Sequence, residues 1–573
     1  MLKKGNLILI SEKKKVLTVL AGLIILLILD YFTDYSIRIK SVIFLIIFLS
    51  FISLRENFTF NLKKIQDIGD LGIGIFLFIL VIILQNRLLN YEIISIDVPS
   101  YLVASQNINV NNLPFESQWE SKGPVFLYFY NLLMILSFKN LAIFKILNDV
   151  LLFAISFMLF KTSLLISKNK LVAVSSVLFF ILLTSYEWYV TELSEIYCLF
   201  FISIQYYLIT KYELTKKVIF ISATLIALSS LVNQATAIFM IGLLISIFIN
   251  YKNYQLSSSI TYAVTGFVLP HIIFISIYLF NGLIKVYLTN YIKIPFGYVG
   301  SGRFEPYELI VWLRRYFQYS EFLYYAILAI GIMFLVNCIF YRKGQIKNYF
   351  VNNLIYLSLG FSIYVIAGHN YQHHLFYSIF FISIFISQLK SDISTVSIFL
   401  LILISSIQIM SFSIQPSLKN IKSPSETQQN YPLRQLAHEI NIIFKDKEYD
   451  VLAVDHVLLL YYLEKENSNY IVHPYNNYEK YIVDALLDID LLKTNENNHL
   501  SYYIELEPDI IICAPQTIIG GAPTKLGSGI FNCDITDYKK NYYKLDTEKY
   551  LNNPNRSYYY DPYTSIDVFI KNS

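Results

Sequence analysis

The sequence predicts an α-helical polytopic membrane protein of about 13 transmembrane helices, followed by a C-terminal extracytoplasmic α/β domain. Three observations predict it. Hydrophobic residues make up 55% of the 573 and charged residues only 15%, too apolar for a soluble domain and far too apolar for disorder. Apolar runs recur through residues 1–413, near or short of the ~20 residues that cross hydrocarbon. Over 414–573 charge, Asn and Pro return and helical and strand patterns alternate.

The elements follow in order. Lys13, Lys14 and Lys15 lead into an apolar run with no small-residue cleavage site, which predicts an anchor kept in the mature protein. Apolar runs then fall at 16–32, 41–54, 68–84, 141–160, 171–190, 196–209, 218–231, 235–249, 260–280, 322–340, 350–367, 375–386 and 393–412. Cytoplasmic loops retain Lys and Arg, and with the N-terminus inside those loops hold Arg55, Lys63, Lys64, Lys161, Lys168, Lys170, Lys216, Lys217, Arg342 and Lys390. The opposite loops around Glu192, Asn233 and His369 carry none. One further run, 124–138, is short, and counting it as a span would put Lys168 outside; it is therefore laid flat on the outer interface. Arg38 and Lys40 on a short outer loop leave a hairpin open for the first two segments.

In the C-terminal part, helical periodicity falls at 431–448, 456–466 and 478–493, and strand patterns at 449–455, 468–475, 508–515 and 565–572. Cys513 and Cys533 share this part and pair only if it faces an oxidising space. Asp484, Asp488 and Asp490 read as the wet face of a helix. A net charge of +4 over this length gives no footprint for nucleic acid.

The chemistry concentrates in the outer loop at about 85–140. An acid, Asp97, follows a span; an amphipathic helix containing Tyr101, Ala104 and Ile108 comes next; a turn at Pro114 follows; then Lys122, Gly123 and Pro124 precede an aromatic run. This ordered series resembles the first extracytoplasmic loop of the GT-C integral-membrane glycosyltransferases, in the bacterial branch of lipid A aminoarabinose transferases and protein O-mannosyltransferase relatives. The resemblance extends to Lys145 near the outer end of the next span, to the acidic segment around Glu192 and Glu195, and to His369–His374 before a late span, covering nearly the whole chain. It departs at Val98, where the family often has a second acid, and in having two spans before the loop.

The resemblance implies a GT-C-like glycosyltransferase that moves a sugar from a polyprenyl-phosphate donor to a lipid, glycan or protein acceptor on the outer face of a bacterial plasma membrane. Asp97 is the expected base, because an acceptor hydroxyl or amine must lose a proton at the depth where the donor's head lies. Its alternative is a helix N-cap. Lys122 is expected at the leaving phosphate, with Arg303, Arg314 and Arg315 as further cations. Glu192, Glu195, His369, Tyr371, His373 and His374 are expected to contact substrate. The histidines lack a clear further ligand in sequence, so no metal and no cofactor is expected. Lys145 and Asp149, one turn apart, predict an intrahelical ion pair. The alternative function is a polytopic transporter or flippase, against which stand the clustering of acids at one face and the lack of an internal repeat.

Overall fold

A computed structural model of the protein describes residues 69–250, 256–339, 348–389, 393–429, 431–445, 447–495, 499–513, 539–551 and 566–572. The expected segments at 16–32 and 41–54, and Cys533, lie outside the described residues. The described chain is mostly helical, with one small sheet near the C-terminus.

Five of the described helices are long and apolar enough to cross a membrane: Asp70–Asn90, Leu141–Ser167, Leu256–Phe280, Tyr349–Ala367 and Ile398–Lys422. Others, such as Pro124–Leu136, Lys170–Thr184 and Gln372–Ile386, are apolar but shorter. The expectation of a polytopic helical protein is thus met in its coarse form. The run at 141–160 continues as helix to Ser167, where Lys168 at φ 55° terminates it in the left-handed region. Asn169 then caps the next helix by accepting from the backbone N–H groups of Leu171 and Val172.

The C-terminal sheet has strands β1 (Val451–Ala453), β2 (Ile510–Cys513), β3 (Tyr542–Lys544) and β4 (Asp567–Lys571) in the order β1-β2-β4-β3. β1 and β2 run parallel, with Leu452 opposite Ile511, while β4 is antiparallel to both β2 and β3. β2 is buried throughout, as its uninterrupted isoleucines require. Two corrections to the sequence expectation arise here. β3 had no signal of its own, being three residues with two tyrosines and a lysine. The expected strand at 468–475 does not join the sheet: Ile471 forms a single parallel bridge with Trp119 instead.

That bridge matters because it fixes the C-terminal part onto the first loop. Trp119 donates its N–H to the Tyr470 carbonyl at 2.8 Å, and Val472 donates to the Trp119 carbonyl at 3.3 Å. Gln118 exchanges two hydrogen bonds with the Asn467 backbone, at 3.0 and 3.1 Å. Trp119 is fully buried in this junction. Backbone amides thereby find partners that a surface loop would take from water, and the two segments act as one wall.

Candidate functional site

A cavity of about 1170 Å³ opens between the first loop, the helices and the C-terminal part. Its polar end carries Asp97, Glu120, Lys122, His373, His374 and His473. The rest of the lining mixes apolar side chains, among them Phe267, Val268, Ile275, Phe296, Ile363 and Ile366, with polar ones such as Glu187, Asn233, Gln234, Glu308 and Arg315.

Asp97 is the first residue of the helix Asp97–Ser105, whose N-cap position is Ile96. Asp97 thus lies inside the helix rather than at its cap, against the capping alternative. Asp97 Oδ1 lies instead 2.9 Å from Nε2 of His473, a residue of the C-terminal part. The Asp97 side chain remains 24% exposed towards the cavity, whereas His473 is 9% exposed. Burial alone would raise the Asp97 pKa, yet the hydrogen bond and charge of His473, with His373 and Lys122 behind them, bring it down to about 2. For His473 burial works towards the neutral ring, and the Asp97 bond with the Glu120 and Asp97 charges overcomes it, so its pKa is raised. His473 Nδ1 is buried with no hydrogen-bond partner.

Glu120 stands behind this pair. Burial raises its pKa against the opposing effects of His473, Lys122 and Ser121. One of its oxygens accepts from the Ser121 amide at 2.7 Å and hydroxyl at 2.8 Å; the other is buried without a partner.

Lys122 is placed by the glycine after it. Gly123 donates its N–H to the Val232 carbonyl at 2.9 Å, and a Cβ on Gly123 would lie 2.1 Å from the Leu231 carbonyl oxygen. Only glycine permits so close a crossing of loop and helix end. Pro124 then opens the helix Pro124–Leu136 at a position where its missing N–H has no cost. The lysine ammonium stands 5.8 Å above the Tyr101 ring, and Tyr101 packs edge-on against Phe126 and Tyr130.

The histidine segment is set by another tight approach. Gly368, at φ 68°, lies against Gly302, where a Cβ would meet the Ala367 carbonyl at 2.7 Å. Beyond it, His369 stacks on Tyr298 with ring centres 4.2 Å apart, and Tyr371 stacks on His373 at 5.6 Å. His373 and His374 belong to the short 3-10 helix Gln372–Leu375. His374 Nδ1 comes 3.3 Å from Glu195 Oε1, on the first turn of the helix Ser194–Lys211. One donor atom from each of Glu195, His373 and His374 lies within 4.8 Å of the others, a grouping able to hold a metal ion.

The structure brings together Asp97, Lys122, His369, Tyr371, His373 and His374 around one cavity, with Glu195 directly behind His374. Two expected residues fall elsewhere. Arg303 is exposed and does not line the cavity; its carbonyl accepts from Asn370. The helix Tyr307–Tyr319 supplies Arg315 instead, stacked 4.5 Å over Trp188. Glu192 is buried in a separate small pocket with Glu92 and Lys145. The expected Lys145–Asp149 pair also resolves differently: Lys145 donates to the Tyr91 and Glu92 carbonyls at 2.6 and 3.3 Å, and Asp149 accepts from the Thr191 hydroxyl. His473 and Glu120 were missed, and each has a physical reason. His473 sits in a segment that reads as a strand, and Glu120 sits in a polar turn that reads as solvated.

No protein-family model matches the chain, and no curated protein matches it.

Proposed function

We propose that this chain is a membrane-embedded, inverting glycosyltransferase of the GT-C type, transferring a sugar from a polyprenyl-phosphate carrier to a lipid, glycan or protein acceptor outside the cytoplasm. The observation that carries the reading is the large cavity, which brings an ionised carboxylate, Asp97, and a lysine, Lys122, together with aliphatic and phenyl side chains such as Phe267, Ile275, Phe296 and Ile363. A donor with a charged head and an isoprenoid tail needs both kinds of lining.

In this reading the acceptor oxygen or nitrogen attacks the anomeric carbon as the bond from that carbon to the phosphate oxygen breaks. The acceptor's proton passes to Asp97, and the polyprenyl phosphate leaves with its charge beside Lys122. No covalent enzyme intermediate is formed. The thirteen crossings, the flat placement of Pro124–Leu136 and the outward C-terminal domain belong to the same reading.

One observation favours the alternative of a transporter or flippase: Lys145 and Asp149 are buried ionisable residues within an apolar helix of spanning length. The decisive test is incubation of the purified protein with radiolabelled polyprenyl-phosphate sugars and a membrane-lipid extract. Transfer requires label to appear in a new product, and Asp97→Asn is expected to lower its rate by about 10²–10⁴. Label that crosses vesicles unchanged, with no product formed, would establish the alternative.

A further inference from the structure

We propose that Glu195, His373 and His374 bind a divalent cation of the zinc class at the polar end of the cavity. The inference does not depend on the transferase reading. It begins with unmet demand: Glu195 is 1% exposed and His374 6%, and Glu195 Oε1 together with both ring nitrogens of His374 have no hydrogen-bond partner. Buried polar atoms are almost always satisfied, and two such orphans facing each other, Glu195 Oε1 and His374 Nδ1, indicate a missing common partner, which Nε2 on the opposite edge of the ring cannot share.

The spacing identifies what that partner is. His374 Nδ1 and Glu195 Oε1 are 3.3 Å apart but are not aligned as a hydrogen bond. Two ligands each about 2.1 Å from a tetrahedral ion stand about 3.4 Å from one another. The third donor, on His373, is within 4.8 Å of the other two. Two imidazoles and one carboxylate suit zinc and its neighbours, whereas magnesium and calcium sites are built from oxygen. Glu195's second oxygen accepts from the Ser194 hydroxyl at 3.2 Å, which orients the carboxylate from behind as outer partners of metal ligands do.

The open coordination position follows from the burial. His373 and His374 line the cavity and Glu195 does not, so a fourth ligand enters from the cavity side, where Lys122 and Asp97 also stand. Three protein ligands and one open position make a site for an exchangeable oxygen ligand, such as water or a phosphate, rather than a closed structural site. Sequence reading could not reach this, because the carboxylate is on a different helix from the histidine pair.

The test counts ions. The full-length protein, purified in detergent, stripped with chelator, reloaded with Zn²⁺ and desalted, is expected to retain about one zinc per chain by elemental mass spectrometry. Glu195→Gln and His374→Asn should each lower that occupancy at least tenfold, and His369→Asn, in the same cavity but outside the cluster, should leave it unchanged. Reloading the wild type with Co²⁺ adds a readout independent of whether the variants fold, since a four-coordinate site gives strong visible absorption. Wild-type protein that retains no zinc, shows no such band with cobalt, or holds zinc undiminished in both cluster variants overturns the assignment.

Discussion

His473 Nε2 lies 2.9 Å from Asp97 Oδ1, adding a polar contact at the cavity wall to the backbone bridge between the C-terminal part of the chain and the first loop. The consequence for reactivity is direct. While His473 is protonated it holds the Asp97 carboxylate near a pKa of about 2 and makes it a weak base. Loss of that proton removes the nearest positive charge and, under the proposed transfer, would let Asp97 accept one from the acceptor. The charges facing the pair are Glu120, Lys122 and His373.

Transfer by the wild type is therefore expected to rise with pH through the raised pKa of His473, and His473→Gln should erase that rise. The stability dependence runs the other way. A histidine whose folded pKa is raised contributes stability below its unfolded value of 6.5, and that contribution is lost as pH rises through the folded value. Asp97, lowered from 3.8 to about 2, contributes above 3.8 and loses its contribution as pH falls through about 2. The pair thus stabilises most between those limits. Melting temperatures of wild type and His473→Gln should differ most near pH 5 and converge above the raised histidine value; parallel curves across that range would remove the ion pair.

Lys122 is expected to hold the donor's phosphate. Lys122→Ala should weaken binding of a polyprenyl-phosphate sugar by the ~1.5–3 kcal/mol of a charge-assisted hydrogen bond, about tenfold or more. Lys122→Arg should recover part of that, because the charge remains while a planar fork replaces a point charge. If the lysine only covers the Tyr101 ring, both variants bind donor like the wild type. Affinity in nanodiscs separates the two cases.

Gly123→Ala tests how the lysine is positioned. The added methyl would sit 2.1 Å from the Leu231 carbonyl oxygen, a backbone atom that no rotamer change can move. The loop must back away, losing the Gly123 to Val232 hydrogen bond and shifting Lys122. The expected cost is roughly 1–3 kcal/mol in stability, accompanied by weaker donor binding. A variant that melts and binds like the wild type would show that the loop is free to relax.

The membrane character, the helical pattern and the loop at 85–140 were legible because they rest on local composition and order. Asp97 and Lys122 were legible by their place in that order. What stayed hidden was long-range. His473 reads as part of a strand until Trp119 takes its neighbour Ile471 out of the sheet. Glu195 reads as a substrate contact at a span end, and nothing in its own segment shows that His374 stands 3.3 Å from it. Arg303 and Arg315 are both basic residues of one segment, and only the helix Tyr307–Tyr319 determines that Arg315 turns to the cavity. Periodicity locates a residue on its own element, and it carries no information on which distant element completes the contact.

Glu92 supplies the last expectation, at the other junction between the first loop and the C-terminal part. Its carboxylate accepts from the backbone N–H groups of Leu433 at 3.0 Å and Arg434 at 3.1 Å, capping the helix Pro432–Ile443 from across the chain. Burial dominates over these bonds, over the Tyr462 hydroxyl and over nearby Lys145, and raises its pKa from 4.5 to about 7. A carboxyl with a raised folded pKa contributes stability below its unfolded value, and that contribution is lost as pH rises through the folded one, here between 4.5 and about 7. Glu92→Gln mimics the protonated acid in shape and keeps one acceptor oxygen for the helix amides. It should match the wild type below pH 4.5 and become progressively more stable relative to it as pH rises towards 7. Because every other titrating group is shared by the two proteins, the difference between their melting curves isolates this one carboxyl. A constant difference across the range would mean that Glu92 is ionised throughout and that its two hydrogen bonds outweigh burial.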